Sequence, residues 1–315
     1  MLRPPSARPL KLSAALLSVC LLAVLPASVT AQTGHDPRVL VIGIDGVRVD
    51  ILARAETPTL DSLAGAGFFS DEAKTRVRTV SGPGWSSMLT GVWPDKHRVE
   101  GNDFTGNNYA SYPDFFTLIE RVQPTIETAA VVDWLPLGGD DSGGPVISDA
   151  IDTMIAIDGY VTGYTLADER SVALAVEQLT IADPDVLFVY LGNTDMVGHD
   201  LGSLSDEYRL EIENADRHVG VLVDAVRGRA SFTNEDWLIL ISTDHGRRDD
   251  GGHGGDSEEE RRIFFLASGP SVTDSAPHGD IHIVDVATTA MAHLGIPIDD
   301  EWDLDGRVVG LSPEG

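Results

Sequence analysis

The chain has 315 residues, of which 42% are hydrophobic, and its 50 acidic against 22 basic residues give a formal net charge of −28 at pH 7. That length and apolar content support one large domain with a buried core. The negative charge argues against binding to duplex nucleic acid or to anionic membranes, because both carry charge of the same sign. It is typical of a protein kept soluble in salty surroundings, where ions screen self-repulsion.

The first 31 residues have the pattern of a secretory signal peptide. The basic residues Arg3, Arg8 and Lys11 come first, and an apolar run follows over residues 12–29. Small residues end the segment at Ala31, as signal peptidase requires. Cleavage there would remove three basic and no acidic residues, taking the net charge from −28 to −31. A retained membrane helix is the alternative, which Pro26 late in the apolar run disfavours.

We therefore expect a secreted or periplasmic protein without a membrane anchor, in which residues 32–315 form a single catalytic domain. The only cysteine, Cys20, lies inside the signal segment. Because an exported domain without cysteines has no disulfides, its fold must depend on its hydrophobic core.

Buried strands and helical patterns alternate along the rest of the chain. The strands are near-continuous apolar runs, which are typical of a sheet covered on both faces. In chain order we predict a strand at 39–44, helices at 57–66, 85–90 and 115–122, a strand at 128–132, a helix at 171–179, a strand at 186–190, a helix from Tyr208 to Val226, strands at 238–241 and 263–266 and a helix at 284–294, with loops at 138–144 and 249–255. The alternation predicts an α/β fold, a doubly wound sandwich whose mostly parallel central sheet is flanked by helices on both faces.

Six potential metal ligands fall where these strands end. They are Asp45 after the first strand, Asp195 and His199 after the strand ending at Tyr190, Asp244 and His245 after the strand ending at Ile241, and His253 in the glycine-rich loop beyond. Each has an ordinary alternative role, in a turn, a helix cap or a solvated loop. Together, at the carboxyl ends of one sheet, they predict a metal site. Carboxylate and imidazole ligands suit zinc, with manganese or iron possible.

Ser81 is the candidate nucleophile, because it precedes a helix that runs through Met88 and Leu89. A helix N-terminus favours anions through its free N–H groups and its dipole, so backbone donors are expected to hold a phosphoryl group that Ser81 attacks. A bound metal would lower the pKa of the hydroxyl and make it nucleophilic. The alternative is that Ser81 only caps the helix.

Several short motifs occur in a specific order along the chain. They are Ile42-Gly43-Ile44-Asp45-Gly46, Ser81-x-Pro83, Leu89-Thr90-Gly91-x-x-Pro94-x-x-His97, Asp195-x-x-x-His199, Ser242-Thr243-Asp244-His245-Gly246 and Gly252-His253-Gly254-Gly255. In this order they resemble the alkaline phosphatase superfamily, nearest to its nucleotide pyrophosphatase/phosphodiesterase branch, the type I phosphodiesterases. The resemblance covers nearly the whole chain after the signal segment, up to Asp305-Gly306-Arg307.

The resemblance implies two divalent metal ions and a role for each ligand. One ion would be held by Asp195, His199 and His253, and the other by Asp45, Asp244 and His245, with Ser81 completing its coordination. Asn102 matches an asparagine that contacts a non-bridging phosphate oxygen in this branch. Its alternative is a turn asparagine after Gly101.

The activity implied is hydrolysis of phosphodiester or nucleotide pyrophosphate bonds in a small phosphate-ester substrate, through a phosphoseryl intermediate on Ser81. A phosphomonoesterase is the first alternative, although no arginine is clearly placed to bind the extra charge of a monoester, and Arg247 and Arg248 beside the metal loop are the remaining candidates for that role. Phosphonate or sulfate ester hydrolysis and a catalytically dead, metal-stabilised binding protein are the others. Sulfatases with a Ser-x-Pro motif have an arginine where this chain has Trp85. The type I phosphodiesterases usually have threonine followed by Phe-Pro-Asn where this chain has Ser81 followed by Gly-Pro-Gly.

Overall fold

Within the described residues, seven strands form one central sheet with the strand order β2-β7-β6-β1-β5-β3-β4. The strands are β1 Asp36–Ile44, β2 Phe68–Lys74, β3 Thr128–Val132, β4 Thr153–Ala156, β5 Val186–Leu191, β6 Glu235–Ser242 and β7 Arg262–Ser268. The pairs of β1 with β5 and β6, and of β3 with β4 and β5, are parallel. Only β7 runs antiparallel to both of its neighbours, β2 and β6, among the strands in the described part of the chain.

The structure is a computed structural model that describes Met1 and residues 35–76, 78–273 and 279–311. Apart from Met1, the described residues belong to one compact unit, His35–Gly315. The predicted signal peptide falls, apart from Met1, outside the described residues. Within them, no helix combines the length and the apolar character that crossing a bilayer requires.

Twelve α-helices surround the sheet in the described residues. They are α1 Val49–Leu52, α2 Pro58–Ala66, α3 Ser81–Thr90, α4 Pro94–His97, α5 Phe115–Val122, α6 Leu135–Gly138, α7 Gly159–Thr162, α8 Tyr164–Glu177, α9 Asn193–Leu201, α10 Asp206–Arg227, α11 Glu258–Arg261 and α12 Asp285–His293. A π-helical turn, Gln178–Ala182, extends α8.

Alternate residues of β1 enter two separate cores, because successive side chains of a strand point to opposite faces. Val39 and Val41 pack in the core that contains α3, α5 and α12. Leu40 and Ile42 pack in the core that contains α2, α8 and α10. The sheet is therefore covered on both faces, and the predicted doubly wound α/β sandwich is confirmed.

The five predicted strands all form, with ends shifted by up to three residues, but the sequence did not predict β2 and β4. Both are edge strands, each paired on one side only. β2 contains Ser70, Asp71 and Glu72 and is largely exposed, and β4 has only four residues. Such strands lack the continuous apolar run that identified the central ones.

Candidate active site

The six predicted ligands meet at the carboxyl ends of β1, β5 and β6. Asp45 directly follows β1, α9 begins two residues after β5 and carries two ligands, and the Asp244-His245 pair lies two residues beyond β6. His253 comes to the same place from the long loop after β6, where its ring stacks on that of His245 with the centroids 3.8 Å apart. The parallel topology explains this convergence, because parallel strands end at the same edge of a sheet.

The ligands form two adjoining groups. Asp45, Asp244 and His245 each offer one ligand atom within 4.8 Å of the others, and so do Asp195, His245 and His253. His245 therefore borders both groups. Its Nε2 atom lies 3.2 Å from Asp244 Oδ2 and 3.7 Å from Asp45 Oδ1.

His199 lies on the solvent side of the second group, one helical turn after Asp195 on α9. Its Nε2 atom is 3.4 Å from Asp195 Oδ2 and 2.9 Å from His253 Nε2. The His253 Nε2 atom is in turn 3.7 Å from Asp195 Oδ1. The structure thus brings together all three side chains that the resemblance assigned to one ion.

Two carboxylate oxygens at the centre of the site have no hydrogen-bond donor among the described residues. Asp45 Oδ2 accepts from Trp85 Nε1 at 2.9 Å and from the Tyr190 hydroxyl at 2.6 Å, whereas Asp45 Oδ1 accepts from none. Asp244 Oδ1 accepts from the Gly46 N–H at 3.1 Å, and its Oδ2 accepts from none. Because a buried carboxylate oxygen without a donor is costly, these atoms fit a site for cations.

The electrostatics of the site also fit the binding of cations. Burial raises the pKa of Asp45 to about 6, and the nearby charge of Asp195 adds to the shift. Burial, with the charges of Asp45 and Asp195, raises the pKa of Asp244 well above its usual value. Burial also lowers the pKa of His253 to about 4 and holds the pKa of His245 well below its ordinary value. Neutral imidazoles beside crowded carboxylates form a ligand set whose repulsion a divalent cation would relieve.

Two of the histidines are oriented by backbone carbonyl groups. The Nδ1 atom of His253 lies 2.8 Å from the carbonyl oxygen of Thr79, and that of His245 lies 3.1 Å from the carbonyl oxygen of Gly246. Since a carbonyl can only accept, Nδ1 carries the hydrogen in both rings, and the Nε2 lone pair faces the site. A carbonyl that holds the second nitrogen is the usual support of a metal-ligating histidine.

Ser81 is the first residue of α3, and Val80 occupies the N-cap position without a side-chain cap. The alternative that Ser81 only caps the helix therefore does not hold. Its Oγ atom lies 3.4 Å from His245 Nε2, and the side chain is almost fully buried. The serine hydroxyl is thus adjacent to the group formed by Asp45, Asp244 and His245.

The expectation that backbone N–H groups hold a phosphoryl group is wrong for most of the first turn of α3. The Gly82 N–H donates to Asn102 Oδ1 at 2.8 Å, Pro83 has no N–H, and the Gly84 N–H bonds within the helix to the Val80 carbonyl at 3.0 Å. Because its oxygen receives the Gly82 N–H, the Asn102 side chain keeps its amide nitrogen as a donor toward the pocket.

Gly82 permits this contact for a steric reason. A Cβ atom at that position would lie 2.1 Å from the Gly101 carbonyl oxygen and 3.0 Å from Asn102 Oδ1. Only glycine lets the start of α3 approach the 101–102 segment so closely. The first glycine of Gly-Pro-Gly, the segment that departs from the usual family motif, therefore allows α3 to contact the 101–102 backbone in this chain.

Neither arginine beside the metal loop faces the pocket. Arg247 is fully buried, contacts the Asp195 carboxylate and donates to the Gly46 carbonyl at 3.1 Å. Arg248 pairs with Glu260 at 2.9 Å. From the sequence, both arginines were candidates for binding a substrate phosphate. Their contacts in the structure instead hold Asp195 and the loop that contains His253.

Three supporting residues of the site were missed by the sequence reasoning, namely Trp85, Tyr190 and Arg247. Trp85 and Tyr190 look like ordinary core residues in a helix and a strand, and their polar tips on Asp45 have no local signature. The position of Arg247 directly after His245-Gly246 was the only available signal. Such contacts join residues far apart in the sequence, so periodicity does not report them.

A pocket of about 230 Å³ opens over the site and has two different sides. One side consists of Asp45, Ser81, Asn102, Asp195, His199 and His253, and the other of Trp134, Tyr160, Tyr164, Tyr190 and Met196. Tyr160 is 70% exposed and packs edge-on against Tyr164, with ring centroids 5.3 Å apart. The pocket can therefore accept a charged group at the ligands and an organic group along the aromatic side.

Known proteins share both the sequence and the fold. The chain is 29% identical to rat (Rattus norvegicus) ectonucleotide pyrophosphatase/phosphodiesterase family member 7 over 74% of its own length and 56% of the rat protein. It is 24% identical to bovine (Bos taurus) bis(5'-adenosyl)-triphosphatase over 69% of its length and 49% of that protein. It thus spans about half the length of the curated relatives it matches.

Among solved structures, murine ectonucleotide pyrophosphatase/phosphodiesterase 5 shares the fold with a TM-score of 0.63 at 15% identity, over 85% of this chain and 99% of the mouse chain. A 2-O GAG sulfatase shares the fold with a TM-score of 0.67 at 14% identity, over 87% of this chain and 73% of the sulfatase chain. The profile of the family called type I phosphodiesterase/nucleotide pyrophosphatase matches residues 39–249, about two thirds of the chain, a range that includes every predicted site residue except His253. The chain therefore belongs to the type I phosphodiesterase/nucleotide pyrophosphatase family.

Proposed function

We propose that the chain is a metal-dependent phosphohydrolase that cleaves phosphodiester or nucleotide pyrophosphate bonds, with Ser81 as its nucleophile. The observation that carries the proposal is the buried pair of oxygens without donors, Asp45 Oδ1 and Asp244 Oδ2, beside the Ser81 hydroxyl. Family membership supports the same reaction class. Pyrophosphatase and phosphodiesterase activities are also what the names of its relatives describe.

Two divalent cations, zinc by preference and manganese or iron as alternatives, fit the two ligand groups. Asp45, Asp244, His245 and the Ser81 hydroxyl would hold one, and Asp195, His199 and His253 the other. When bound, two such cations lower the pKa of a coordinated hydroxyl and neutralise charge on the attacking and leaving oxygens. Asp244→Asn and His253→Ala should each reduce the zinc content measured by elemental analysis. Unchanged zinc stoichiometry in either variant would contradict the ligand set.

The residues of the chain then have distinct parts in a two-step displacement. Ser81 Oγ forms a bond to phosphorus, its proton passes to water, and the bond from phosphorus to the first alcohol or phosphate breaks. Water next cleaves the phosphoseryl ester, which restores the serine hydroxyl and releases the second product. The Asn102 amide donates to a non-bridging oxygen throughout, and the aromatic side of the pocket contacts the organic part of the substrate.

The charge of the pocket favours a diester over a monoester. None of the described residues that line the pocket is lysine or arginine. Arg247 and Arg248, the candidates for binding a second phosphate charge, are paired elsewhere. We expect bis-aryl phosphate to be cleaved faster than mono-aryl phosphate by the zinc-loaded chain. The reverse order would favour a phosphomonoesterase.

The substitution Ser81→Ala tests the nucleophile. We expect turnover of a bis-aryl phosphate to fall by more than about 1,000-fold, because removal of a covalent nucleophile leaves only binding and electrostatic effects. Zinc content should remain that of the unmodified chain. Ser62→Ala, at an exposed position on α2, is the matched control and should leave the rate unchanged. Retained activity in Ser81→Ala would refute the assignment.

We further propose that residues 1–31 direct export and that the domain over 32–315 is the active enzyme. The basic, apolar and small-residue order of the segment supports this, as described above. Expression with the full leader in a secreting host should yield a mature protein whose N-terminal residue is Gln32. A product that retains residues 1–31 would contradict the proposal.

A further inference from the structure

Two buried aspartates that the proposed reaction does not use lie directly behind the pocket. Asp133 follows β3 and is completely buried, and Asp168 lies on α8 and is 1% exposed. Both carboxyl groups lie against Gly192, because Asp168 Oδ1 accepts from its N–H at 2.9 Å and a Cβ atom placed on it would lie 3.0 Å from Asp133 Oδ1. Two carboxylates so close together in a buried site repel each other strongly when both are ionised, so we expect one of them to carry a proton.

The partners of each carboxyl group identify which one is charged. Asp168 Oδ1 accepts from the Gly192 N–H at 2.9 Å and from the Asn193 N–H at 3.3 Å, at the start of α9. A helix N-terminus stabilises a negative charge placed on it. Asp133 accepts only from the Ser171 hydroxyl at 3.2 Å, and among the described residues its Oδ1 atom has no donor. An oxygen without a donor is the expected place for a proton.

The pKa shifts agree with this assignment. Burial, followed by the charge of Asp168, raises the pKa of Asp133 well above its ordinary value. Burial also raises the pKa of Asp168, but hydrogen bonds from Asp133 and from the Gly192 N–H oppose it, so the value is about 7. The backbone N–H groups of Gly192 and Asn193 favour the charged form of Asp168, whereas the Ser171 hydroxyl is the donor to Asp133, so the proton is placed on Asp133.

Asp168 supplies α9 with the cap that its own sequence lacks. The N-cap residue of α9 is Gly192, which has no side chain to accept from the first turn. A Cβ atom there would lie 2.5 Å from the Tyr164 ring and 3.0 Å from Asp133 Oδ1, so a larger capping residue is excluded. The carboxylate instead comes from the neighbouring helix, where Tyr164, Asp168 and Ser171 share one buried face.

We infer that Asp133 and Asp168 share one proton and that Asp168 is a positioning residue for the metal ligands of α9. Asp133 donates to Asp168, Asp168 fixes the first turn of α9, and that turn sets the direction of Asp195 and His199. The inference rests on the proposed ligand set, though not on the phosphodiesterase reaction itself.

A matched pair of substitutions tests the inference. In Asp133→Asn the amide replaces the protonated acid and still donates to Asp168, so zinc affinity should stay within about twofold of the unmodified chain. In Asp168→Ala the first turn of α9 loses its acceptor, and affinity should fall by about 10- to 100-fold, as for other residues that orient metal ligands. Affinity is measured by chelator competition well below the melting temperature, so that loss of stability alone does not alter it.

A second readout reports the proton directly and needs no metal. The infrared spectrum of the metal-free chain at neutral pH should contain the carbonyl stretch of a buried carboxylic acid that is absent from Asp133→Asn. If Asp168→Ala does not fold, Asp168→Asn replaces it, because the amide keeps one acceptor but removes the charge from the helix N-terminus. The expected loss of zinc affinity is then smaller and still greater than that of Asp133→Asn.

The possible failures are distinguishable. Equal zinc affinity in the unmodified chain and both Asp168 variants, or an unchanged infrared spectrum in Asp133→Asn, would overturn the inference alone. An unmodified chain that binds no zinc would overturn the ligand set and this inference with it. A chain that binds zinc as expected but cleaves no phosphate ester would overturn only the proposed function.

Discussion

At the scale of single residues, the site depends on which oxygen of each carboxylate accepts the hydrogen bonds. Asp45 is the clearest case, because Trp85 and Tyr190 both donate to Oδ2 and leave Oδ1 for another partner. A ligand fixed in this way loses little conformational freedom when a cation binds, which favours binding. Supporting donors of this kind should therefore affect metal affinity although they do not touch the metal.

Tyr190→Phe removes one of these donors and keeps the ring. We expect zinc affinity to fall by about tenfold, because the Asp45 carboxylate is then held by Trp85 alone. Chelator competition measures the affinity. Tyr112→Phe, which removes an exposed hydroxyl bonded to Asp303, is the control and should leave it unchanged. Equal affinity in the two variants would show that the Tyr190 hydroxyl does not orient the ligand.

At the scale of elements, α3 carries Ser81 and α9 carries Asp195 and His199, and each helix begins with an unusual arrangement. The first turn of α3 has its Gly82 N–H taken by Asn102, and the first turn of α9 is capped by Asp168 from another helix. In both helices a side chain distant in sequence accepts from the N-terminal N–H groups that a local cap would ordinarily satisfy. The start of each helix is thereby fixed to the segment that completes the site.

Gly82→Ala tests this at the start of α3. The new methyl group would lie 2.1 Å from the Gly101 carbonyl oxygen, so the 101–102 segment must move. We expect kcat for a bis-aryl phosphate to fall by about 10- to 100-fold through displacement of Asn102, with zinc content unchanged. Gly65→Ala, where nothing lies within 4 Å of the new atom, is the control. It should leave kcat unchanged and stabilise α2 by about 0.5–1 kcal/mol. Normal kcat in Gly82→Ala would contradict the role of Asn102.

At the scale of the whole molecule, the two ends of the sheet carry opposite electrostatic arrangements. At the carboxyl ends, buried carboxylates crowd together at the site. At the amino ends, Arg38 of β1 contacts Asp183, Asp185 and Glu235, and Arg229, just after α10, contacts Asp183 and Glu235. The first arrangement forms the candidate cation site, whereas the second consists of ion pairs that largely offset one another within the fold.

The ion pairs of Glu235 predict how the free energy of unfolding depends on pH. Burial would raise the pKa of Glu235, but hydrogen bonds from Arg229, Trp237 and Ser231 outweigh it and hold the pKa at about 2. Because the pKa is lower in the folded chain than the usual value near 4.3, the stabilisation is fully present above that value and is lost as pH falls toward 2. The shift corresponds to roughly 3 kcal/mol at neutral pH.

Glu235→Gln should therefore lower the free energy of unfolding most at pH 7, with a difference that shrinks below about pH 4.3. Urea denaturation of both chains at pH 7 and pH 3 measures it. Ser62→Ala, at an exposed position on α2, changes no titratable group and should give no pH-dependent difference. A difference between the chains that is the same at both pH values would exclude the proposed linkage.

The sequence alone determined the fold class, the central strands and the set of side chains available for metal binding. It could do so because burial on both faces of a strand leaves a continuous apolar run, and the reactive residues follow those runs directly, as Asp45 follows β1. The motif order also predicted the family. These are local properties, which are written into consecutive residues.

Only the tertiary structure decided how those side chains are used. The donors on Asp45, the contact of Gly82 with Asn102, the buried contacts of Arg247 and the cap that Asp168 provides to α9 all join segments that lie apart in the chain. Such contacts depend on how helices and strands pack at the carboxyl edge of the sheet, and many sequences with the same periodicity could make others. The chemistry of the site is therefore set by packing, after the local pattern has supplied the residues.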